Sequence, residues 1–277
     1  MDNNTDDLTK LQNSATPVIT QTPKELVEAT LKAEDVVNAP KEEVTLSAHE
    51  IRTVLTVMRN YLWVSTYQQE EPLGTKVKRN LSIVSYALDY LVMLVENNLT
   101  VKKIENNEIK MTIGDHDLVE MVGDVVAQFS EKAIRAGVSL IYEPSVQKAF
   151  VKADVQKTKD SIGRILENAI KFTPSQGRVS FKISESDSED FYEVRISDSG
   201  PGIAKYEQAD LFKKYGKIDS SYANVRGEDG AGLGLYIAAK YVEMQNGKIR
   251  VESDAGAGAT FVVSLPKGID TAASNQA

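Results

Sequence analysis

Asp198-Ser199-Gly200-Pro201-Gly202-Ile203, followed some thirty residues later by Gly230-Ala231-Gly232-Leu233-Gly234-Leu235, decides the fold of this chain. Upstream, Glu167-Asn168-Ala169-Ile170-Lys171-Phe172-Thr173 closes a stretch with helical periodicity. Glycine lets the backbone come close to a ligand and expose successive N–H groups, which suits a polyphosphate. One glycine turn alone is a weak signal. An Asn-bearing helix and two glycine turns, in this order and spacing, read as an ATP site.

The segments around these turns supply an α/β sandwich with helices on one face of a mixed sheet. Glu108–Ile113 reads as a strand, and Asp117–Ala136 as a helix ended by Gly137. Val138–Tyr142 and Ala149–Lys152 read as strands. Asp154–Phe172 is a helix with Asp154 as its N-cap. Arg178–Ser184 and Phe191–Ser197 alternate with period two across a polar link, a hairpin signal. Ala231–Gln245 is helical, and Lys248–Ser253 and Thr260–Leu265 complete the sheet.

The N-terminal half is organised differently. Residues 1–21 are polar and read as disordered, Pro23 to Asn38 as a short amphipathic helix, and Pro40 as a break, so 1–44 holds no folded input domain. From about Thr45, Ile51, Leu55, Met58 and Leu62 recur at spacings of 4, 3 and 4. After Pro72-Leu73-Gly74, Leu81, Val84, Leu88, Leu91 and Val95 recur at 3, 4, 3 and 4. Two such stripes make an antiparallel helical hairpin over 45–104. A lone hairpin cannot hide its apolar face, so two copies pairing into a four-helix bundle are expected, hence a homodimer. The α/β domain then spans 105–268, with 269–277 as a disordered tail.

Residues 150–266 resemble the Bergerat-type ATP-binding domain shared by sensor histidine kinases, DNA gyrase, the Hsp90 chaperone and MutL proteins. A second stretch selects one branch: Ser47-Ala48-His49-Glu50-Ile51-Arg52-Thr53-Val54-Leu55-Thr56 is similar to the phosphoacceptor box of histidine kinases, typically S-H-E-L-R-T-P-L-T. The chain has two histidines, and one is the box histidine. The resemblance implies ATP and Mg²⁺ as cofactors, and a response-regulator receiver domain as partner. His49 is then the nucleophile, Glu50 the group that accepts or orients its ring proton, and Thr53, one turn on, the position that orients water for dephosphorylating the partner. His116 stands in no box and reads as an ordinary surface residue.

In the ATP-binding domain the resemblance assigns Asn168 to Mg²⁺ on the triphosphate and Lys171 to phosphate charge. Asp198 would accept a hydrogen bond from the adenine amino group, with Gly200 and Gly202 letting the backbone pass the base. Gly230, Gly232, Leu233 and Gly234 lead into a helix whose positive end faces the phosphates. Phe212 and Tyr215 match the family's aromatic box, and Lys213–Asp229 reads as a lid.

Four positions depart from the family pattern. Val54 replaces a helix-bending proline. Asp229 and Ala231 replace the Gly and Thr of the second glycine box. Arg164 stands where an Asn is usual, on the same helix face as Asn168 and Lys171. It could compensate for Asp229 by binding a phosphate or Mg²⁺-bound water, or obstruct the metal. The leading reading is a protein-histidine kinase that autophosphorylates His49; the alternative is a degenerate kinase serving as nucleotide-binding scaffold or phosphatase. A gyrase- or chaperone-type ATPase wants a glutamate at position 164.

Composition narrows the rest. With 277 residues and 42% hydrophobic content, one or two modest cores can form. Zero cysteines exclude disulfides and thiolate chemistry and fit a reducing, cytoplasmic compartment. A net charge of −8 argues against nucleic-acid binding, which needs a basic face. No apolar run approaches the roughly 20 residues of a transmembrane segment, and the N-terminus is not a signal peptide.

Overall fold

The computed structural model describes residues 55, 58, 59, 62, 63, 74–186, 190–216 and 232–270. His49, Glu50, Thr53 and Val54 of the expected phosphoacceptor box lie outside these, as do Asp229, Gly230, Ala231, the segment 1–44 and the end of the tail. Contacts divide the chain after Val54, and every described residue belongs to the unit Leu55–Ala277.

Helix α1, Thr75–Glu105, is 31 residues long and ends with Lys102 and Lys103 in its last turn, where cations oppose the negative helix end. Val84 and Leu91, two members of its apolar stripe, remain 49% and 45% exposed in the single chain. Leu55, Met58, Arg59, Leu62 and Trp63 are helical as well. No helix among the described residues is long and apolar enough to cross a membrane.

After α1 come β1 (Gly114–Asp117), α2 (Leu118–Ala136), β2 (Ser139–Tyr142), β3 (Phe150–Ala153) and α3 (Val155–Phe172). These are followed by β4 (Arg178–Glu185), β5 (Phe191–Asp198), the short α4 (Lys205–Gln208), α5 (Gly234–Glu243), β6 (Lys248–Ser253) and β7 (Ala259–Pro266). The main sheet runs β2-β4-β5-β7-β6. Only its β2–β4 pair is parallel, so the sheet is mixed as expected. The strand expected over Glu108–Ile113 is not formed. The Thr112 N–H is taken instead by the Asp154 carboxylate at 2.8 Å, and pairing begins at Gly114, where β1 joins β3 in a separate antiparallel ribbon. His116 therefore sits within a strand, opposite Val151.

Alternation decides which face of the sheet is buried. Val179, Phe181 and Ile183 of β4, Val194 and Ile196 of β5, and Phe261, Val263 and Leu265 of β7 point into one core. Against them lie Leu118, Met121, Val122 and Val125 of α2 and Ile162, Ile165, Leu166, Ala169 and Ile170 of α3. Each fully buried Ile or Leu here contributes about 1.5–3 kcal/mol. A smaller second core joins α1 to α5: Val101 and Ile104 pack with Leu233, Ile237 and Tyr241.

The opposite sheet face is polar and organised around Glu193. Its carboxylate accepts from Arg250 Nη1 at 2.8 Å and Nη2 at 3.2 Å, and from Ser264 Oγ at 3.1 Å.

Candidate functional site

Asp154 fixes the helix that carries the Asn168 side chain. One carboxylate oxygen caps α3 through the Lys157 N–H at 3.0 Å, and the other holds the Thr112 N–H. Burial by itself would raise this carboxyl's pKa. The Thr112 and Lys157 N–H bonds and the Lys157 charge outweigh that and hold it below the ordinary aspartate range. With the start of α3 fixed, Asn168, Ala169 and Phe172 arrive at its last turn beside a cleft.

The cleft encloses about 550 Å³ including its mouth. Its other walls are Asp198, Pro201, Gly202 and Ile203 of the first glycine turn, Leu211, Leu235, and Ala259 and Phe261 of β7. An apolar slot with a few converging polar groups suits a flat heteroaromatic ring. Asp198 ends β5, and its Oδ1 accepts the N–H groups of Gly200 at 2.8 Å and Ala259 at 3.3 Å. Among the described residues no donor meets Oδ2. Burial pushes the Asp198 pKa up, and the two N–H bonds offset that only in part.

Two glycines are required here by geometry. Gly202 has φ +71°, and a Cβ on it would lie 2.1 Å from the Asp254 carbonyl oxygen. Gly258 has φ +78°, and a Cβ there would lie 2.1 Å from the Asp198 carbonyl oxygen. Any side chain at either position would pry apart the first glycine turn and the β6–β7 turn. The two turns are tied further: Ile203 N–H donates to Ser253 Oγ at 2.8 Å, and Ser253 Oγ donates to the Gly258 carbonyl at 2.6 Å. Gln208 Nε2 donates to the Ile203 and Ser253 carbonyls at 2.9 and 2.8 Å. Sequence reasoning missed Gln208, Ser253, Gly258 and Ala259. The glycine pair of Gly256-Ala257-Gly258, just ahead of a strand, was the available signal.

The remaining sequence-derived positions distribute unevenly. Gly232 has φ +67°, Leu233 precedes α5 and Gly234 begins it, so the first N–H groups of α5 have no partner within the helix. Leu233 does not face the cleft; it is buried against α1, and its neighbour Leu235 lines the cleft instead. Phe212 stands one layer behind the wall, edge-on to Phe261 with ring centroids 6.3 Å apart. Tyr215 is 58% exposed, and the Lys171 amine lies 5.3 Å from the Phe172 ring centroid.

Arg164 departs from expectation. It is not a cleft-lining residue: Nη1 donates to Asn97 Oδ1 of α1 at 2.8 Å, and Nε lies 3.1 Å from Asp160 Oδ1. Helical side chains lean toward the helix N-terminus. A residue one turn before Asn168 therefore reaches back along α3 toward Asp160 and α1, away from the cleft.

The five-stranded mixed sheet, the helices on one face and the Asn168–Asp198 cleft between α3 and the glycine turns define an ATP-binding α/β sandwich. Residues 153–269 match the model of the histidine kinase-, DNA gyrase B- and HSP90-like ATPase family. Similarity extends to the circadian input-output histidine kinase CikA of Synechococcus elongatus, 27% identical over 246 residues, covering 88% of this chain and 32% of that protein. CikA of Thermosynechococcus vestitus is 30% identical over 225 residues, 79% of this chain and 30% of that one. The sensor histidine kinase WalK of Bacillus subtilis is 27% identical over 226 residues, 82% and 36% respectively. The chain thus spans about a third of the length of these curated relatives.

Two solved structures share the fold. Full-length ShkA in complex with AMPPNP has a TM-score of 0.62 at 22% identity, over 80% of this chain and 46% of that one. Histidine kinase ThkA in complex with response regulator protein TrrA has a TM-score of 0.54 at 21% identity, over 90% and 68%. Residues 153–269 thus carry this ATPase domain, and over most of its length the chain is similar to sensor histidine kinases.

Proposed function

We propose that this chain is an ATP-dependent protein-histidine kinase of the cytoplasm that phosphorylates His49 and passes the phosphoryl group to an aspartate on a response-regulator receiver domain. The observation that carries the reading is Asp198, held at the cleft wall by two backbone N–H groups with Oδ2 left for a ligand. Adenine offers an exocyclic N–H₂ donor there, whereas guanine offers an oxygen. The triphosphate would then run toward Asn168, Lys171 and the start of α5.

In the transfer, a neutral ring nitrogen of His49 attacks the γ-phosphorus in line. The bond to the β,γ-bridging oxygen breaks, and ADP leaves with its electron pair. The other ring nitrogen's proton is lost to Glu50. Asn168 suits Mg²⁺, which takes phosphate oxygens, waters and few protein ligands. The described residues contain no cluster of three His, Cys, Asp or Glu that could hold a metal without those phosphates. When bound, Mg²⁺ offsets charge on the phosphoryl oxygens. The engagement of the Arg164 guanidinium by Asn97 supports a metal site that Asn168 would serve without it.

Two further points follow from the same reading. The exposed stripe of α1 is the dimer face, and Thr53 serves dephosphorylation of the receiver. The receiver partner is supported by the ThkA–TrrA complex, a kinase of the same fold seen with its regulator.

The test is labelling of the purified chain with γ-³²P ATP and Mg²⁺. Acid-labile, alkali-stable label is expected, and His49→Ala should abolish it while nucleotide binding persists. Label surviving in that variant would remove His49 from the mechanism.

A further inference from the structure

Asn97 is 6% exposed, a buried amide of α1. A buried amide without a partner is costly, and the partner it has is the Arg164 guanidinium at 2.8 Å. Arg164 belongs to α3, one turn before Asn168. The same two turns of α1 grip the rest of the cleft's frame. Val101 and Ile104 pack on Leu233, Ile237 and Tyr241, and Glu105 pairs with Lys214 at 2.5 Å.

We propose that Arg164 is a positioning residue that acts through Asn97: it locks α3 onto α1 and so sets where Asn168 stands for the nucleotide's phosphates. The proposal rests on the nucleotide reading of the cleft. Arg164 is then not a phosphate ligand in place of the usual Asn but part of the joint through which α1 is linked to the phosphate end of the site. Linkage makes this reciprocal: whatever shifts α1 changes triphosphate affinity, and triphosphate binding biases α1. The adenine end, built by Asp198, Gly202 and Ala259 on the far side of the cleft, has no contact with this pair and stays outside the coupling.

Calorimetric binding of AMPPNP with Mg²⁺, and separately of adenosine, to the full chain tests this. Asn97→Ala and Arg164→Ala should each weaken AMPPNP binding by about five- to tenfold, the scale of typical coupling between sites. The double variant should be no weaker than either single one. Asn97→Asp retains an acceptor and should bind like the wild type, and adenosine affinity should be unchanged throughout. Global damage would instead lower adenosine affinity too.

If Arg164→Ala weakens AMPPNP while Asn97→Ala does not, Arg164 touches the nucleotide directly and the proposal falls. Additive losses, or none, overturn it equally. A wild-type chain that binds neither ligand would refute the nucleotide reading itself. Should an alanine variant melt below the assay temperature, Asn97→Ser and Arg164→Lys carry the same comparison.

Discussion

Asp198 answers two opposed demands. Burial makes its charge unfavourable in the free protein, while under the proposed function the adenine amino group calls for that charge. Its raised folded-state pKa means that the ionised form weakens the fold at neutral pH, so a neutral isostere should relieve it. Asp198→Asn is therefore expected to leave thermal stability equal or slightly higher, while weakening ATP binding by about 1–3 kcal/mol. Calorimetry and a melting curve on the same sample check both halves; a lost fold together with lost binding would contradict the argument. In the wild type, ATP affinity should begin to fall on acidification at a pH above that of an ordinary aspartate, near 3.9. Asp198 was legible because a carboxylate followed by Ser-Gly-x-Gly ends an alternating strand. Ser253 and Ala259 were not, because a hydroxyl and a backbone N–H act at the site only once β6 and β7 bring them there. For Arg164, helical spacing gives its face, but the partner of its long side chain, Asn97, lies 67 residues away and is not legible from spacing.

Among the elements, strands β4, β5 and β7 were readable because each alternates and each buries one face. β1 was not, since Gly114-Asp115-His116-Asp117 has no apolar alternation and pairs only because β3 lies alongside. β5 also shows what alternation alone conceals. Glu193 occupies an outward position yet is 8% exposed, because Arg250 closes over it. The Arg250 hydrogen bonds hold its pKa below the ordinary glutamate value against the effect of burial, with Ser264 and Ser186 adding to them. For a carboxyl lowered in this way, the stabilisation is fully present above the unfolded pKa, near 4.3, and is lost as pH falls through the lower folded value. Glu193→Gln should cost about 1–3 kcal/mol at pH 7. It should cost progressively less toward acid, as urea midpoints across a pH series would record. A penalty independent of pH would mean that Arg250 contributes packing rather than charge. On the core side of the sheet, Phe181→Ala should cost about 3–5 kcal/mol, because a fully buried ring leaves a cavity beside Tyr142.

For the whole molecule, the open question of burial lies along α1. Val77, Val84 and Leu91 repeat every seven residues and are 47%, 49% and 45% exposed, with Met58 and Trp63 also half exposed on the preceding helical stretch. A seven-residue apolar repeat is the seam of a helical bundle, and under the proposed function a second copy is expected to supply the cover. Val84→Glu with Leu91→Glu should turn a dimer into a monomer by light scattering at micromolar concentration, without loss of nucleotide binding. A wild-type monomer under those conditions would contradict the repeat's reading. The change from helical stripe to alternating strands after α1 was legible in the sequence, but the joint between α1 and α5 was not. Val101 and Ile104 look like more bundle stripe, and only the fold shows them spent on α5. That joint bears on where the chain can be cut. A fragment starting at residue 106 would leave Leu233, Ile237 and Tyr241 as a raw hydrophobic scar beside the nucleotide entrance. It would tend to stick to itself, and its nucleotide affinity would understate that of the intact protein. A fragment that begins upstream of Asn97 keeps its own cover and should be the better-behaved reagent.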